Sequence, residues 1–271
     1  MPELPEVETT KRGISPHIKN KIVTHVIVRK NQLRWPVSPE ISQLLPGQKI
    51  IDVKRRAKYL LLETAVGTLM IHLGMSGSLR IIKTDEAERK HDHIDIQFKD
   101  GTCLRYHDPR RFGAYLWTNE PINGHKLISK LGPEPLTEAF NLDDFYNKSR
   151  LRSLPIKSFI MDAHMVVGVG NIYASESLFL SKIHPKRASN NISKKRFGVL
   201  IQSIKSILNK SIEQGGTTLK DFVNSDGKPG YFQQTLNVYG RKNKPCTVCS
   251  TPIKQITIGQ RSTFYCPSCQ H

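Results

Sequence analysis

The chain has no apolar run approaching the roughly 20 residues that a membrane-spanning helix needs, and no amphipathic basic terminus suited to a lipid surface. Its first residues offer neither a basic stretch nor an apolar core of the secretory kind, so a cytosolic, reducing compartment is expected. Cysteine is scarce, with five in 271 residues, an odd number of which four are crowded at the end. That distribution speaks against a disulfide framework and for metal binding. Internal repeats and low-complexity tracts are lacking. Acid is missing from one long stretch: between Gly227 and His271 there is no Asp or Glu, while Lys228, Arg241, Lys242, Lys244, Lys254 and Arg261 are basic.

What is present points to a polyanion. Lys and Arg outnumber Asp and Glu by 41 to 23, a formal net charge of +18, which makes nucleic acid the leading partner. At 271 residues and 38% hydrophobic content the chain can build two domains, each with its own core. Against this basic background the first eight residues carry three carboxylates and no base. They also place Pro2 where loss of Met1 would make it the terminus. A secondary amine there can condense with a sugar C1′ to give an iminium, an electron sink that is charged without needing a proton. An α-amino group of pKa about 8 is partly neutral near pH 7, and Glu3 beside it would supply a proton shuttle. The same residues also read as an ordinary helix start: Pro5 suits the first turn, Glu6 and Glu8 the positive end of the dipole, and Lys11, Arg12 and Gly13 its close. On the octapeptide alone the helix start is the better explanation.

From Lys21 to Trp117 the pattern is of short β-type runs: 22–28, 49–53, 59–63, 68–72, 78–82, 94–98, 102–107 and 114–117. Their length and spacing argue for an all-β sandwich or barrel, with Asp100-Gly101 as a hairpin turn. The stretch 131–136, Leu-Gly-Pro-Glu-Pro-Leu, breaks that rhythm and reads as a linker. Helical periodicity follows. Phe197, Leu200, Ile201, Ile204, Ile207, Leu208 and Ile212 recur at helical spacing up to Gly215-Gly216, with basic residues on what is read as a solvated face. Gly168-Val169-Gly170-Asn171 precedes a helix over 172–181, whose start could take a phosphate, although a packing turn explains it equally. The loop Ser225 to Tyr231 could close over something or merely connect.

The strongest chemical signal is Cys246-x2-Cys249-x16-Cys266-x2-Cys269. Two such knuckles hold Zn²⁺ tetrahedrally, with room for a β-hairpin between them, and four thiolates leave no open position, so the zinc is structural. Binding energies of about 10–16 kcal/mol explain how so small a segment folds. Arg261 would be displayed on that hairpin towards phosphate. Cys103 reads as a buried apolar residue. Arg55-Arg56-Ala57-Lys58 enters a strand, so that Lys58 is either aimed into a groove or part of a solvated edge. Met75 and Phe112, each among glycines at a strand end, are either wedges for a base stack, with Arg110 substituting for a lost base, or core residues.

Six segments in one order decide between these readings: Pro2-Glu3-Leu4-Pro5-Glu6-Val7-Glu8-Thr9, Arg56-Ala57-Lys58-Tyr59-Leu60, His72-Leu73-Gly74-Met75-Ser76-Gly77, Asp108-Pro109-Arg110-Arg111-Phe112-Gly113, Val169-Gly170-Asn171-Ile172-Tyr173-Ala174 and the four-cysteine ribbon. Across essentially the whole chain they resemble the bacterial formamidopyrimidine-DNA glycosylases. The resemblance implies an α+β protein: an N-terminal helix with a β-sandwich (1–130), the linker (131–136), a helix-two-turn-helix domain (137–224), a lesion-capping loop and connection (225–240) and a zinc finger (241–271). It implies a glycosylase and abasic-site lyase for oxidised purines, 8-oxoguanine opposite cytosine and formamidopyrimidines, acting on double-stranded DNA as a cytoplasmic, nucleoid-associated monomer without an obligate protein partner.

By the same resemblance Pro2 is the nucleophile, Glu3 moves protons, Lys58 assists glycosidic cleavage or holds a phosphate, and Arg261 serves phosphate binding and the later elimination. Met75, Arg110 and Phe112 fill the vacated space, His72 and Asn171 contact phosphates, His91 makes a further DNA contact, and Lys157 lies near the pocket. Glu6 is expected to anchor the terminus and Glu8 to be mainly a helix residue. One departure is visible: Arg150, Leu151, Arg152 and Ser153 stand where some relatives have a lysine-rich run, which weakens a contact from Ser153 but not the activity. The sister family, endonuclease VIII, shares the proline and zinc finger but prefers oxidised pyrimidines, and typically differs at Leu4 and at Arg110-Arg111-Phe112. A zinc-ribbon regulator without chemistry would have no use for a free Pro2 beside Glu3.

Overall fold

Helix α1 (Leu4–Ile18) opens the chain with the Glu6 carboxylate turned back on its own start, where Oε2 accepts the Glu3 N–H at 2.8 Å. That bond satisfies one of the donors a helix start leaves over, and Pro5 sits in the first turn where its missing N–H costs nothing. Leu4, Val7, Ile14 and Ile18 are buried, and the helix packs on strands β2 (Asp52–Arg56), β3 (Tyr59–Glu63), β5 (Ser78–Lys83) and β7 (Thr102–His107). The expected close near Gly13 does not occur. Glycine in a helix costs about 1 kcal/mol, whereas burying an isoleucine returns about 1.5–3 kcal/mol, and two isoleucines lie beyond it. The helix therefore runs on until the Lys19 N–H closes it on Ser15 O at 3.0 Å.

The computed structural model describes residues 2–215 and 236–271, which divide into a first unit reaching to Ser129 and a second built on Lys130–Glu213 and the C-terminal segment. In the first unit two antiparallel four-stranded sheets stack as a sandwich. One runs β1-β6-β7-β5, with β1 (Val23–Val28) and β6 (Asp92–Phe98); the other runs β2-β3-β4-β8, with β4 (Thr68–His72) and β8 (Ala114–Thr118). Leu60, Leu62, Leu69 and Ile71 from one sheet meet Leu79, Ile94, Ile96 and Leu104 from the other in one core. A short helix α2 (Glu40–Leu44) lies between β1 and β2.

The strand expected at 49–53 is displaced to Asp52–Arg56, and Lys49 makes only an isolated bridge with Ile22. The reason is position: β2 is an edge strand, and edge strands are rich in charge, here Lys54, Arg55 and Arg56, so composition hid it. Arg56 pairs with Tyr59, which makes Ala57 and Lys58 the two-residue turn of the β2–β3 hairpin. Lys58 thus sits on a turn, not within a strand, and Ala57 has φ 53° there.

The second unit is helical: α3 (Leu142–Arg150), α4 (Ile156–Met161), α5 (Asn171–Leu180) and α6 (Lys194–Glu213), followed by a hairpin of β9 (Lys254–Ile258) and β10 (Arg261–Tyr265). All seven apolar positions read for the long helix are buried on one face of α6, around a cluster in which Phe145 meets Phe140, Phe159 and Phe197 at 4.8–5.7 Å between ring centroids. Arg150, from the departing run, serves this unit: its guanidinium covers the Tyr146 ring at 4.3 Å and donates to the carbonyls of Ser189 and Ile192 at 2.8 and 2.9 Å. The loop Ser225–Tyr231 and Gly216 lie outside the described residues. Among the described residues no helix is long and apolar enough to cross a membrane.

Candidate nucleic-acid interface and metal centre

Pro2 and Glu3 are buried at the start of α1, whose position Glu6 and Glu8 fix. Burial opposes ionisation of Glu8, yet hydrogen bonds from Lys11, Arg55 and Arg12 overcome it and hold the carboxyl down at about 2. Lys11 Nζ approaches at 2.7 Å, and Arg12 Nε and Arg55 Nε at 3.0 Å. Arg55 then donates from Nη1 to the Ala57 carbonyl at 2.9 Å. Glu8 is therefore more than a helix residue: it reaches through Arg55 to the turn that carries Lys58.

Sequence reasoning missed that link, although an acid three residues from Lys11 and four from Arg12 in a basic chain marks a charge hub. Glu6 meets its expectation by accepting the Glu3 N–H.

The two glycine-flanked loops of the same unit lie together. Gly74 has φ +68°, and a Cβ there would stand 2.4 Å from the Phe112 backbone carbon, so only glycine permits the approach. Met75 and Phe112 are 38% and 44% exposed, which removes the core-packing reading of both. Arg110 is exposed beside them, its guanidinium carbon 5.0 Å from the Phe112 ring centre.

His72, at the end of β4, accepts the Gly74 N–H on Nδ1 at 3.0 Å, which leaves Nε2 to carry the ring proton. Burial, with the charges of Lys58 and Arg34 adding, pushes its pKa down to about 4, so the ring is a neutral donor at pH 7. His91, with φ 77°, lies 6.0 Å from the His107 ring and 6.3 Å from that of His93. The segment before it is tethered by buried Arg105, which donates to the carbonyls of Glu86 and Ala87 at 3.0 Å each while gripping Asp95 at 2.7 Å. Buried ions persist only when paired in this way, so the alternation of Asp and Arg within two apolar strands was the available signal.

In the second unit Lys157, Asn171 and the zinc hairpin meet. Lys157 is 1% exposed, and its Nζ donates to Asn171 Oδ1 at 2.5 Å, to Thr263 Oγ1 at 2.6 Å and to the Ser262 carbonyl at 3.3 Å. Asn171, the first residue of α5, donates from Nδ2 to the same Ser262 carbonyl at 2.9 Å. Arg261, exposed, is the first residue of β10 after a turn in which Gly259 and Gln260 have φ 54° and 60°. Glu176, buried within α5 and not singled out from the sequence, accepts the backbone N–H groups of Asn237, Val238 and Tyr239, each at 2.9 Å. A lone acid inside the apolar stretch Ile172–Leu180 was its trace.

The four sulfurs of Cys246, Cys249, Cys266 and Cys269 lie within 4.8 Å of one another. Three of their separations are 3.9, 3.4 and 3.4 Å. A tetrahedron with Zn–S bonds of about 2.3 Å has edges of about 3.8 Å, so the set fits one zinc and is too open for disulfides. Backbone N–H groups of Val248 and Cys269 point at sulfurs at 3.4 Å, as thiolates in a knuckle require. With four thiolates filling the tetrahedron, such a metal holds structure and leaves chemistry to the protein.

A β-sandwich followed by helices and a four-thiolate zinc hairpin, on a chain of net charge +18, defines a zinc-finger protein of the nucleic-acid-binding class. Family models agree: the Formamidopyrimidine-DNA glycosylase N-terminal domain matches residues 1–115, the H2TH domain of that glycosylase residues 131–223, and the zinc finger found in FPG and IleRS residues 243–271. The chain is 57% identical to the formamidopyrimidine-DNA glycosylase of Saccharophagus degradans over the full length of both, and 54% identical to that of Hydrogenovibrio crunogenus, covering 100% of this chain and 96% of that one. Among solved structures, that of wild-type Lactococcus lactis Fpg (MutM) with DNA containing N7-benzyl-Fapy-dG matches with TM-score 0.92 at 33% identity over all of both chains. That of MutM (Fpg) from Thermus thermophilus matches with TM-score 0.89 at 33% identity, over 99% of this chain and 98% of that one. The chain belongs to the formamidopyrimidine-DNA glycosylase family, and so is a DNA-repair enzyme.

Proposed function

We propose that this chain excises oxidised purines from double-stranded DNA and then cuts the strand, with the Pro2 nitrogen as nucleophile once Met1 is gone. The observation that carries the reading is the rigid construction of the terminus. Glu6 fixes the start of α1 at Glu3, and Glu8, through Arg55 and the Ala57 carbonyl, ties the Lys58 turn to the same helix. The secondary amine attacks C1′ of the extruded nucleotide, the C1′–N bond breaks and the base leaves with a proton; the C1′–O4′ bond then breaks, O4′ taking a proton, and the nitrogen lone pair forms the C1′=N⁺ bond. The resulting iminium acidifies the C2′ hydrogens. Removal of one expels the 3′ phosphate, a second elimination expels the 5′ phosphate, and water releases the enzyme. Glu3 moves the protons, Lys58 assists base departure or holds the adjacent phosphate, and Arg261 binds phosphate and assists the later elimination.

Neutral His72, His91 and Asn171 are proposed to face the backbone, with Met75, Arg110 and Phe112 in the vacated stack and Arg110 towards the orphaned cytosine. Lys157 lies behind Asn171. Zinc holds the hairpin of Arg261. The enzyme is taken to act as a cytoplasmic monomer on DNA alone.

The test is borohydride trapping on duplexes carrying either 8-oxoguanine opposite cytosine or an oxidised pyrimidine. The second duplex is included because one solved relative, Lactococcus lactis Fpg, is bound to DNA containing an oxidised pyrimidine. A covalent adduct with the purine lesion is expected, and none when an N-terminal extension keeps the Pro2 nitrogen in a peptide bond. An adduct with only the pyrimidine duplex would transfer the substrate to the endonuclease VIII class, and an adduct that survives the extension would remove Pro2 from the mechanism.

A further inference from the structure

Asp108 is wholly buried where the loop of Met75 meets the loop of Arg110 and Phe112. Its Oδ1 accepts the Ser76 hydroxyl at 2.7 Å and the Arg110 N–H at 3.3 Å. Its Oδ2 accepts the Tyr106 hydroxyl and the Gly113 N–H, both at 2.9 Å. The backbone of the same residue continues the set: its N–H donates to the His91 carbonyl at 3.0 Å, and its carbonyl pairs with His93 Nε2 at 2.8 Å. One acid thus touches the immediate neighbours of Met75 and Phe112, and the backbones of Arg110 and His91.

The surroundings are shaped to make this possible. A Cβ on Gly113 would fall 1.7 Å from the Tyr106 hydroxyl oxygen, and one on Gly77 would fall 2.6 Å from it. Two glycines, one in each loop, therefore open the slot through which the phenol reaches the carboxylate. Burial, and then the negative Asp108, push the acidity of Tyr106 far down, so the phenol remains a donor. All four donors to the carboxylate are neutral hydroxyls or amides, at 2.7 to 3.3 Å, so the charge is spread over directed bonds in a buried site, where hydrogen bonds are strong and an unmatched group is costly.

We propose that Asp108 is a positioning residue that locks the Met75 loop to the Arg110–Phe112 loop, so that the three side chains enter the base stack as one preformed unit. The proposal rests on the reading above that those side chains enter DNA. Extruding a base costs unpairing and unstacking, and a wedge that also had to be ordered on contact would add its own loop and side-chain entropy to that cost. A carboxylate that only accepts can take donors from both loops at once. An amide at the same place would turn its NH2 towards two of those donors.

The experiment compares two substrates of the full-length enzyme under single-turnover conditions: duplex with 8-oxoguanine opposite cytosine, and duplex with a preformed abasic site opposite cytosine, where no base has to be extruded. Asp108→Asn and Ser76→Ala are expected to slow processing of the lesion by about tenfold or more and about threefold respectively, while abasic-site cleavage changes by less than about twofold. Preference for cytosine over adenine opposite the lesion is expected to fall in parallel, because Arg110 is no longer held. Equal losses on both substrates, or no loss on either in Ser76→Ala and Asp108→Asn, would overturn the proposal. Met75→Ala and Arg110→Ala are measured alongside. If they leave the ratio between the two substrates unchanged, the wedge reading itself fails and takes the proposal with it; if they shift the ratio and the Asp108 and Ser76 variants do not, only the positioning role is lost.

Discussion

The Glu8 carboxylate accepts the Arg55 Nε–H at 3.0 Å and so joins helix α1 to the edge strand that ends in the Lys58 turn. Replacing Glu8 by Gln removes a charge on which Lys11, Arg12 and Arg55 all converge. A cost of about 1–3 kcal/mol in unfolding free energy is expected, together with slower chemistry on both lesion and abasic-site duplexes, about tenfold in single turnover. Denaturant titration and rapid-quench kinetics measure the two. Slowing of the lesion alone, or full rates with the stability lost, would show that the link does not reach Lys58.

The same carboxylate sets an acid limit. Its folded pKa is lowered from 4.5 to about 2, so its stabilising contribution is complete above the unfolded value and disappears as pH falls from about 4.5 towards 2. Unfolding midpoints measured across that window should fall more steeply for the native chain than for Glu8→Gln. Parallel curves would contradict the assignment.

His72 works in a higher window with its own sign. The folded ring has its pKa lowered from 6.5 to about 4, because burial first, and Lys58 and Arg34 second, disfavour the cation. Below 6.5 the unfolded chain takes up a proton that the folded chain does not. Stability is therefore whole above pH 6.5 and declines as pH falls towards 4. Proton NMR of the ring should show a neutral His72 with its proton on Nε2 at pH 6, and His72→Gln should remove that segment of the stability slope. A His72 titration midpoint near 6.5 would refute this.

Most elements of the sandwich were legible because short β-type runs are separated by turn residues; Tyr59–Glu63, Thr68–His72 and Thr102–His107 fall where that spacing puts them. The edge strand Asp52–Arg56 was misplaced because an edge is defended with charge, and the end of α1 because two buried isoleucines outweigh one glycine. The zinc set follows from spacing alone. Asp108 and Glu176 were not legible in their roles. Glu176 accepts mostly backbone N–H groups of a segment brought close only by folding, Asp108 accepts two backbone N–H groups beside two hydroxyls, and a backbone donor leaves no mark in a sequence.

Zinc removal should act on the hairpin and on DNA together. The segment around β9 and β10 has only a small core, in which Cys246 and Cys266 are themselves members with Val238, Ile253 and Phe264. Without the metal that core loses its centre, and Arg261 its scaffold. Chelation under native conditions, or Cys249→Ser, should release one zinc per chain by colorimetric assay and lower DNA affinity and incision in step, by about a hundredfold or more. Incision that persists after complete zinc loss would remove Arg261 from both roles.

Lys157 offers the sharpest separation between a residue that touches DNA and one that holds residues that do. Its Nζ is turned inward on Asn171, Thr263 and the Ser262 carbonyl, next in sequence to Arg261. A lysine that neutralises a phosphate contributes about one unit to the slope of log affinity against log salt, because its counterion is released on binding. Lys157→Met keeps the length of the stem and removes the charge. If Lys157 acts from inside, DNA affinity falls by about tenfold at every salt concentration while the slope stays unchanged, because Asn171 and the hairpin lose their common anchor. His72→Gln serves as a neutral comparison and Arg261→Ala as a charged one, the latter expected to reduce the slope by about one unit. A slope reduced by Lys157→Met to the same extent as by Arg261→Ala would place its ammonium on the phosphate backbone and refute the interior role.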